Sequence, residues 1–213
     1  MRSKTWFLFL FLALLLVPLA PRPSAETVIG SKTVILYPIA DAYVNSSDPD
    51  ANYGSATSLE VQWYLSYAYL MFDLSSIPSN AVILSGELEL QLDYLSWSVG
   101  DSIGVYRSID TSWTELGITW NNKPGFAPEA TSTVRFTSYW YWLPMYCGWN
   151  VTADVQAALG AGKLTEVLKW SALGDYASFS SKEGPMDPGL TVEYVTAPVY
   201  NVHVESVQDT GET

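Results

Sequence analysis

Residues 81–92, AVILSGELELQL, give the clearest alternation of apolar and polar side chains in the sequence, and a chain with such a run must bury one face of a β-strand. Leu84, Gly86, Leu88, Leu90 and Leu92 share one face, while Glu87, Glu89 and Gln91 point to the other, toward water or a partner. One strand cannot bury its apolar face alone, so further strands and a second layer are required. The chain offers them. Residues 33–44 (TVILYPIADAYV) read as a strand that breaks at Pro38 and resumes at Ala40. Residues 58–62 lead into the aromatic-dense run 63–72, predicted as a central strand. Residues 103–107, 134–136, 166–172, 176–180 and 190–195 have strand length with Gly and Pro turns between them. Helical patterning is confined to residues 153–159, with Thr152 as the N-cap and Gly160 as the stop. The expected fold is all-β, a jelly-roll-like β-sandwich of roughly eight to ten short antiparallel strands with one short helix.

The ends differ from this middle. Residues 1–25 place Arg2 and Lys4 before an apolar run at 6–20 and a PRPSA exit, the layout of a secretory signal. The run falls short of the about 20 residues that span a bilayer. The segment is either cut after Ala25, where Pro23 fits the cleavage site poorly, or kept as an anchor. Residues 26–195 then form the sandwich domain, secreted or at an extracellular surface, with no membrane span after cleavage. Residues 196–213 form a tail in which Tyr200, Val202 and Val204 alternate with Asn201, His203 and Glu205. A strand there pairs with an edge of its own sandwich, pairs with a neighbouring copy in self-association, or begins a further domain.

The chain carries 10 basic and 22 acidic residues, a net charge of −12, and loss of the first 25 residues would remove three basic groups and no acid. Such a surface repels phosphate, which excludes nucleic acid as a partner and disfavours acidic glycans. Cys147 is the lone cysteine, so no intramolecular disulfide forms, and it reads as a small buried hydrophobe. The lone histidine, His203, has no second histidine or cysteine pair for a zinc site, and a Ser-His-Asp arrangement would have to recruit it from the far C-terminal tail.

Residues 45–52, NSSDPDAN, form a turn-rich loop dense in oxygen ligands. Asp41, Asn45, Asp48, Asp50 and Asn52, with Glu183 from a distant strand end, are the expected ligands of a calcium ion. The alternative is a solvated loop whose side chains make local turn hydrogen bonds. Asn45 also opens an N-glycosylation triplet, as does Asn150, and Asn45 is expected to be the exposed acceptor.

Residues 107–124, RSIDTSWTELGITWNNKP, leave the strand period after Arg107 and form a structured connection. Trp113 and Trp120 bury large area only by folding back onto a core. Their indole N–H groups need partners, for which Glu115, Asn121 or Asn122 are at hand. The connection reads as architecture first and as a ligand-contacting loop second. Residues 138–146 hold five aromatics, with Tyr139 and Tyr141 on one face and Trp140 and Trp142 on the other. Either one pair is exposed as a sugar-stacking platform or both pairs close the end of the sandwich.

Seven phrases occur in one order: ADAYV at 40–44, NYG at 52–54, FDLSSIP at 72–78, WTE at 113–115, ITWNNKP at 118–124, WNVTADVQ at 149–156 and FSSKEG at 179–184. Together they resemble the DNRLRE, or disaggregatase-related, carbohydrate-binding modules over roughly residues 33–194. Ala68 and Tyr69 stand where those modules commonly carry a basic residue before the FDL strand. The resemblance implies a secreted, non-catalytic β-sandwich whose partner is a polysaccharide or cell-surface glycan. For a chain this acidic the expected ligand is a neutral polysaccharide held by exposed aromatics. The rival reading is a structural or adhesive subunit of a cell envelope or fibre, assembled through edge strands. Catalysis by paired carboxylates is disfavoured, because Glu87 and Glu89 are neighbours on one solvent face and do not oppose each other across a cleft.

Overall fold

The structure, a computed structural model, describes residues 30–96, 101–137, 143–170 and 176–196. Pro38, which has no N–H to pair, separates β1 (Lys32–Leu36) from β2 (Pro38–Asn45). The aromatic run expected as one strand is instead divided. β3 (Ser58–Gln62) ends in a hairpin turn at residues 63–65, and β4 (Ser66–Asp73) returns from it. Tyr64 takes a left-handed φ of 57°, and the Leu65 N–H closes the turn on Gln62 O at 3.1 Å.

β5 (Ala81–Ser96) is the long strand announced by its alternation, with Gly86, Leu88, Leu90 and Leu92 buried and Glu87 and Glu89 exposed. Leu84 departs from the expected inward face. A register shift opposite Glu193 and Tyr194 inverts the phase, so Ile83 turns inward and Leu84 is 49% exposed. β6 (Ser102–Ser108), β7 (Ser132–Arg135) and β8 (Met145–Asn150) follow, of which β8 was not anticipated. Then come the helix α1 (Thr152–Ala158), β9 (Lys163–Trp170), β10 (Tyr176–Ser180) and β11 (Gly189–Thr196).

Thr152 is the first helical residue and does not cap the helix. Its hydroxyl accepts the Gly86 N–H at 2.9 Å, while Asn150 Oδ1 accepts the Thr152 N–H at 3.1 Å. A Cβ on Gly86 would lie 3.0 Å from Val155, so the absent side chain is what lets the helix settle on β5. The helix runs on into a 3-10 turn and stops at Gly162 (φ 72°), two residues beyond the predicted stop.

Every pairing is antiparallel, in one curled sheet of order β1-β11-β5-β10-β3-β4-β9-β6-β7, with β2 added to β4 and β8 added to β5. The all-β expectation holds. The sheet closes over a core in which Ala68, Leu70, Phe72, Ile103, Val105 and Leu168 join Leu88, Leu90, Leu92, Trp149, Phe179 and Leu190. Each fully buried large side chain contributes about 2 to 3 kcal/mol. Two indoles tie distant strands through backbone acceptors: Trp149 donates to Ile103 O at 2.9 Å and Trp170 to Val61 O at 3.1 Å. Cys147 lies buried on β8, where burial pushes its thiol up to about 12, as expected of an inert small hydrophobe.

The connection between β6 and β7, residues 109–131, folds across the outer side of β2, β4, β6 and β9. Ala42, Val44, Tyr69, Tyr106, Ile118 and Val167 form a second apolar cluster there, flanked by Trp113, Trp120, Phe126 and Tyr67. Both tryptophans of the connection therefore do fold back onto a core. The partner of Trp113 is not an acid or amide of its own loop: its indole donates to Thr165 Oγ1 on β9 at 3.1 Å.

Candidate functional site

Asp41 is an inward-facing residue of β2, paired in register with Leu70 and 1% exposed. Above it the chain brings two further acids from distant segments, Glu115 from the β6–β7 connection and Glu183 from the turn after β10. One carboxylate oxygen of each lies within 4.8 Å of the others. Asp41 Oδ2 accepts the Lys182 N–H at 2.9 Å, whereas the buried Oδ1 has no hydrogen-bond partner. The Lys182 ammonium reaches Glu115 at 2.8 Å and Glu183 at 2.6 Å. These hydrogen bonds push the lysine pKa up. Burial pushes the Asp41 carboxyl up to about 7, its accepted N–H only partly offsetting this, and Glu183 and Glu115 add to the rise.

Of the expected calcium ligands, Asp41 and Glu183 thus lie together, and Glu115, read from sequence as an indole partner, joins them. The other four are engaged in holding loops. Asn45 Oδ1 accepts the Ser47 N–H at 2.8 Å, and Asp50 Oδ1 accepts Asn121 Nδ2 at 2.7 Å. Asp48 is within hydrogen-bonding reach of Tyr53. Asn52 Nδ2 donates to Glu115 O and Ile118 O, both at 2.7 Å, and its Oδ1 accepts the Gly54 N–H at 3.2 Å. A Cβ on Gly54 would fall 2.2 Å from Glu115 O, so the NYG phrase is a clasp: Asn52 grips the connection and glycine permits the approach. Asn45 is half-buried at the end of β2 while Asn150 is exposed at the end of β8, so exposure does not single out Asn45 as the glycan acceptor.

A second candidate lies on the outer side of the sheet, over the apolar cluster. Tyr67, Trp120 and Phe126 are half-buried rings, with Tyr67 in contact with Trp120 at 5.0 Å and edge-on with Phe126 at 5.8 Å. Lys123 sits 3.7 Å over the Trp120 ring and Lys169 4.7 Å from the Tyr106 ring. Burial lowers the Lys123 pKa. Beside Phe126 opens a cavity of about 480 Å³ lined by Arg107, Ile109, Asp110, Gly125 and Ala127, within the size range of small-molecule sites. In the sequence Tyr67 reads only as a strand aromatic and Trp120 as a loop aromatic, and nothing marks Phe126, because their adjacency depends on how the connection lies on the sheet. The residues expected to contact sugar, Tyr139, Trp140, Tyr141 and Trp142, lie outside the described residues, as do residues 1–25 and Tyr200, Val202 and Val204.

The sequence model of carbohydrate-binding module family 96 matches residues 32–194, from the first strand to the last. The chain belongs to carbohydrate-binding module family 96. This family 96 module is also similar to a gellan lyase from Bacillus sp, with 25% identity over 201 residues. The similarity covers 89% of this chain and 8% of that protein, so the chain spans less than a tenth of its relative's length. Among the described residues of the module, no helix is long and apolar enough to cross a membrane.

Proposed function

We propose that this family 96 module is a secreted, non-catalytic unit that binds a neutral polysaccharide by stacking sugar rings on Tyr67, Trp120 and Phe126. The observation that carries this reading is the row of half-exposed rings held over a packed cluster. Pre-ordered rings lose little entropy on binding, and a pyranose face covers aromatic carbon as an apolar surface would. Asp110, which lines the adjacent cavity, offers a carboxylate to sugar hydroxyl groups. The net charge of −12 favours a neutral ligand. Similarity to a gellan lyase supports a polysaccharide as the partner class. The resemblance of seven phrases to DNRLRE modules supports the same reading, and the signal-like segment supports export. Glu87 and Glu89 are exposed neighbours along one strand, an arrangement suited to solubility and not to acid–base cleavage.

A second reading, a carboxylated sugar, is favoured by one observation: Lys123 and Lys169 gather around these rings in an otherwise acidic chain. A glycan array carrying neutral and uronate-containing polysaccharides separates the two. The expected result is binding to a neutral chain that falls at least about tenfold in Trp120→Ala and Tyr67→Ala, each checked for folding by near-ultraviolet circular dichroism. Full binding by both variants, with loss in a Trp140→Ala/Trp142→Ala double variant, would move the site to residues 138–146. Binding confined to uronates would select the second reading.

A further inference from the structure

We propose that Asp41, Glu115 and Glu183 form a calcium site in which the Lys182 ammonium is a built-in, displaceable counter-ion. Acidic clusters are common and by themselves mean little. Here a separate observation points to a ligand: Asp41, one of whose oxygens lies within 4.8 Å of an oxygen of each other acid, is 1% exposed, and its buried Oδ1 has no hydrogen-bond partner. A buried carboxylate oxygen left without a partner costs roughly 1 to 3 kcal/mol or more, a cost that evolution removes easily by substitution unless something occupies the place.

The chemistry selects the occupant. Three carboxylates face one ammonium, so with Lys182 displaced the cluster offers three charges to a cation, and with it in place an imbalance remains. All the donors are oxygens, which suits hard cations. An ion about 2.4 Å from each oxygen can join oxygens up to about 4.8 Å apart, and the three lie within that distance of one another, while magnesium dehydrates reluctantly and is usually held by only one or two carboxylates. Carboxylates that bind through one or both oxygens, completed by water, supply the six to eight ligands calcium takes.

Lys182 can leave. Its side chain is 27% exposed and its long stem needs only rotamer changes to carry the ammonium into solvent. Its backbone N–H stays on Asp41 Oδ2 and keeps that carboxylate aimed. The three acids come from β2, the β6–β7 connection and the turn after β10, so a bound ion would fasten the connection to the sheet at a point that Asn52 already grips.

Calorimetric titration of the chelator-stripped full chain with calcium chloride tests this. The expected result is saturable binding of one calcium per chain, at least tenfold tighter than magnesium. Glu183→Gln, at a partly exposed turn, weakens it at least tenfold, as does Glu115→Gln. Lys182→Met removes the competing ammonium and tightens calcium binding. No calcium heat in either the wild type or Lys182→Met overturns the proposal. So does calcium affinity unchanged in folded Glu183→Gln and Glu115→Gln, which would put the ion elsewhere. Lys182→Met that loses calcium binding overturns the counter-ion role.

Discussion

Two groups of clustered acids in this molecule, each with a buried member, have the same ingredients and opposite settings. The Lys182 ammonium pairs with Glu115 and Glu183 beside Asp41; the Arg107 guanidinium, whose Nε lies 3.6 Å from Asp154 Oδ1, also acts electrostatically on Glu166. The second group is built by regular elements alone, Arg107 on β6, Glu166 on β9 and Asp154 on α1, packed over the core. Glu166 is 0% exposed, and both its oxygens and Asp154 Oδ2 lack hydrogen-bond partners. Charged carboxylates only accept, so these three oxygens cannot satisfy one another until one is protonated. Burial, reinforced by the charge of Asp154, raises the Glu166 pKa well above the usual carboxylate range, and the guanidinium does not cancel it. The first group is assembled from a strand, a connection and a turn, with a flexible, partly exposed ammonium. Regular elements leave an uneven charge no remedy but a proton, whereas the ends of segments leave room for an ion.

The comparison breaks most visibly at Arg107. Arg107→Met strips the inner group of the guanidinium that pairs with Asp154, and the expected loss is about 3 kcal/mol of unfolding free energy by urea titration, in line with breaking buried pairs. A loss below about 1 kcal/mol would mean that the two acids are solvated after all. At the outer group the matching stress is steric. Gly54→Ala puts a Cβ 2.2 Å from Glu115 O and must push the connection off the clasp, at an expected cost of about 2 kcal/mol. Removing the clasp itself, Asn52→Ala, leaves the Glu115 and Ile118 carbonyls to find water and should cost roughly 1 kcal/mol in the same titration. Were Asn52→Ala to cost more than Arg107→Met, the outer group and not the inner one would be the rigid part of the fold.

What could be read in the sequence was local. The alternation of β5, the break at Pro38 and the folding back of Trp113 and Trp120 follow from period, a missing N–H and ring area. The exceptions were settled by partners far along the chain. Leu84 faces water because β11 imposes a bulge opposite Glu193 and Tyr194, and the Thr152 hydroxyl serves Gly86 instead of its own helix. Asp41 and Glu183 were named together from their oxygen chemistry. Glu115 was named for an indole that chose Thr165, since nothing local says that the connection wraps around β2. Loop amides such as Asn52 looked like ion ligands because a ligand and a clasp use the same side chain.

The finest distinction between the two groups is a pH slope. Glu166 has a folded pKa above its unfolded value of 4.5, so the stability of the protonated folded form is fully present below that value. As pH rises from 4.5 through the folded pKa, the unfolded chain releases a proton that the folded chain keeps, and wild-type stability falls by at most about 1.4 kcal/mol per pH unit for this single site. Glu166→Gln copies the protonated shape without the proton. At pH 5 it should match the wild type within about 0.5 kcal/mol, since an isosteric amide preserves the volume and offers a donor toward Asp154. Urea titrations across pH should then show a wild-type curve that descends relative to a flatter Glu166→Gln curve, so that the variant becomes the more stable protein at the alkaline end. Parallel curves would show Glu166 ionised in the folded state and paired with Arg107, and the inner group would then resolve its charge as the outer one does, with a cation.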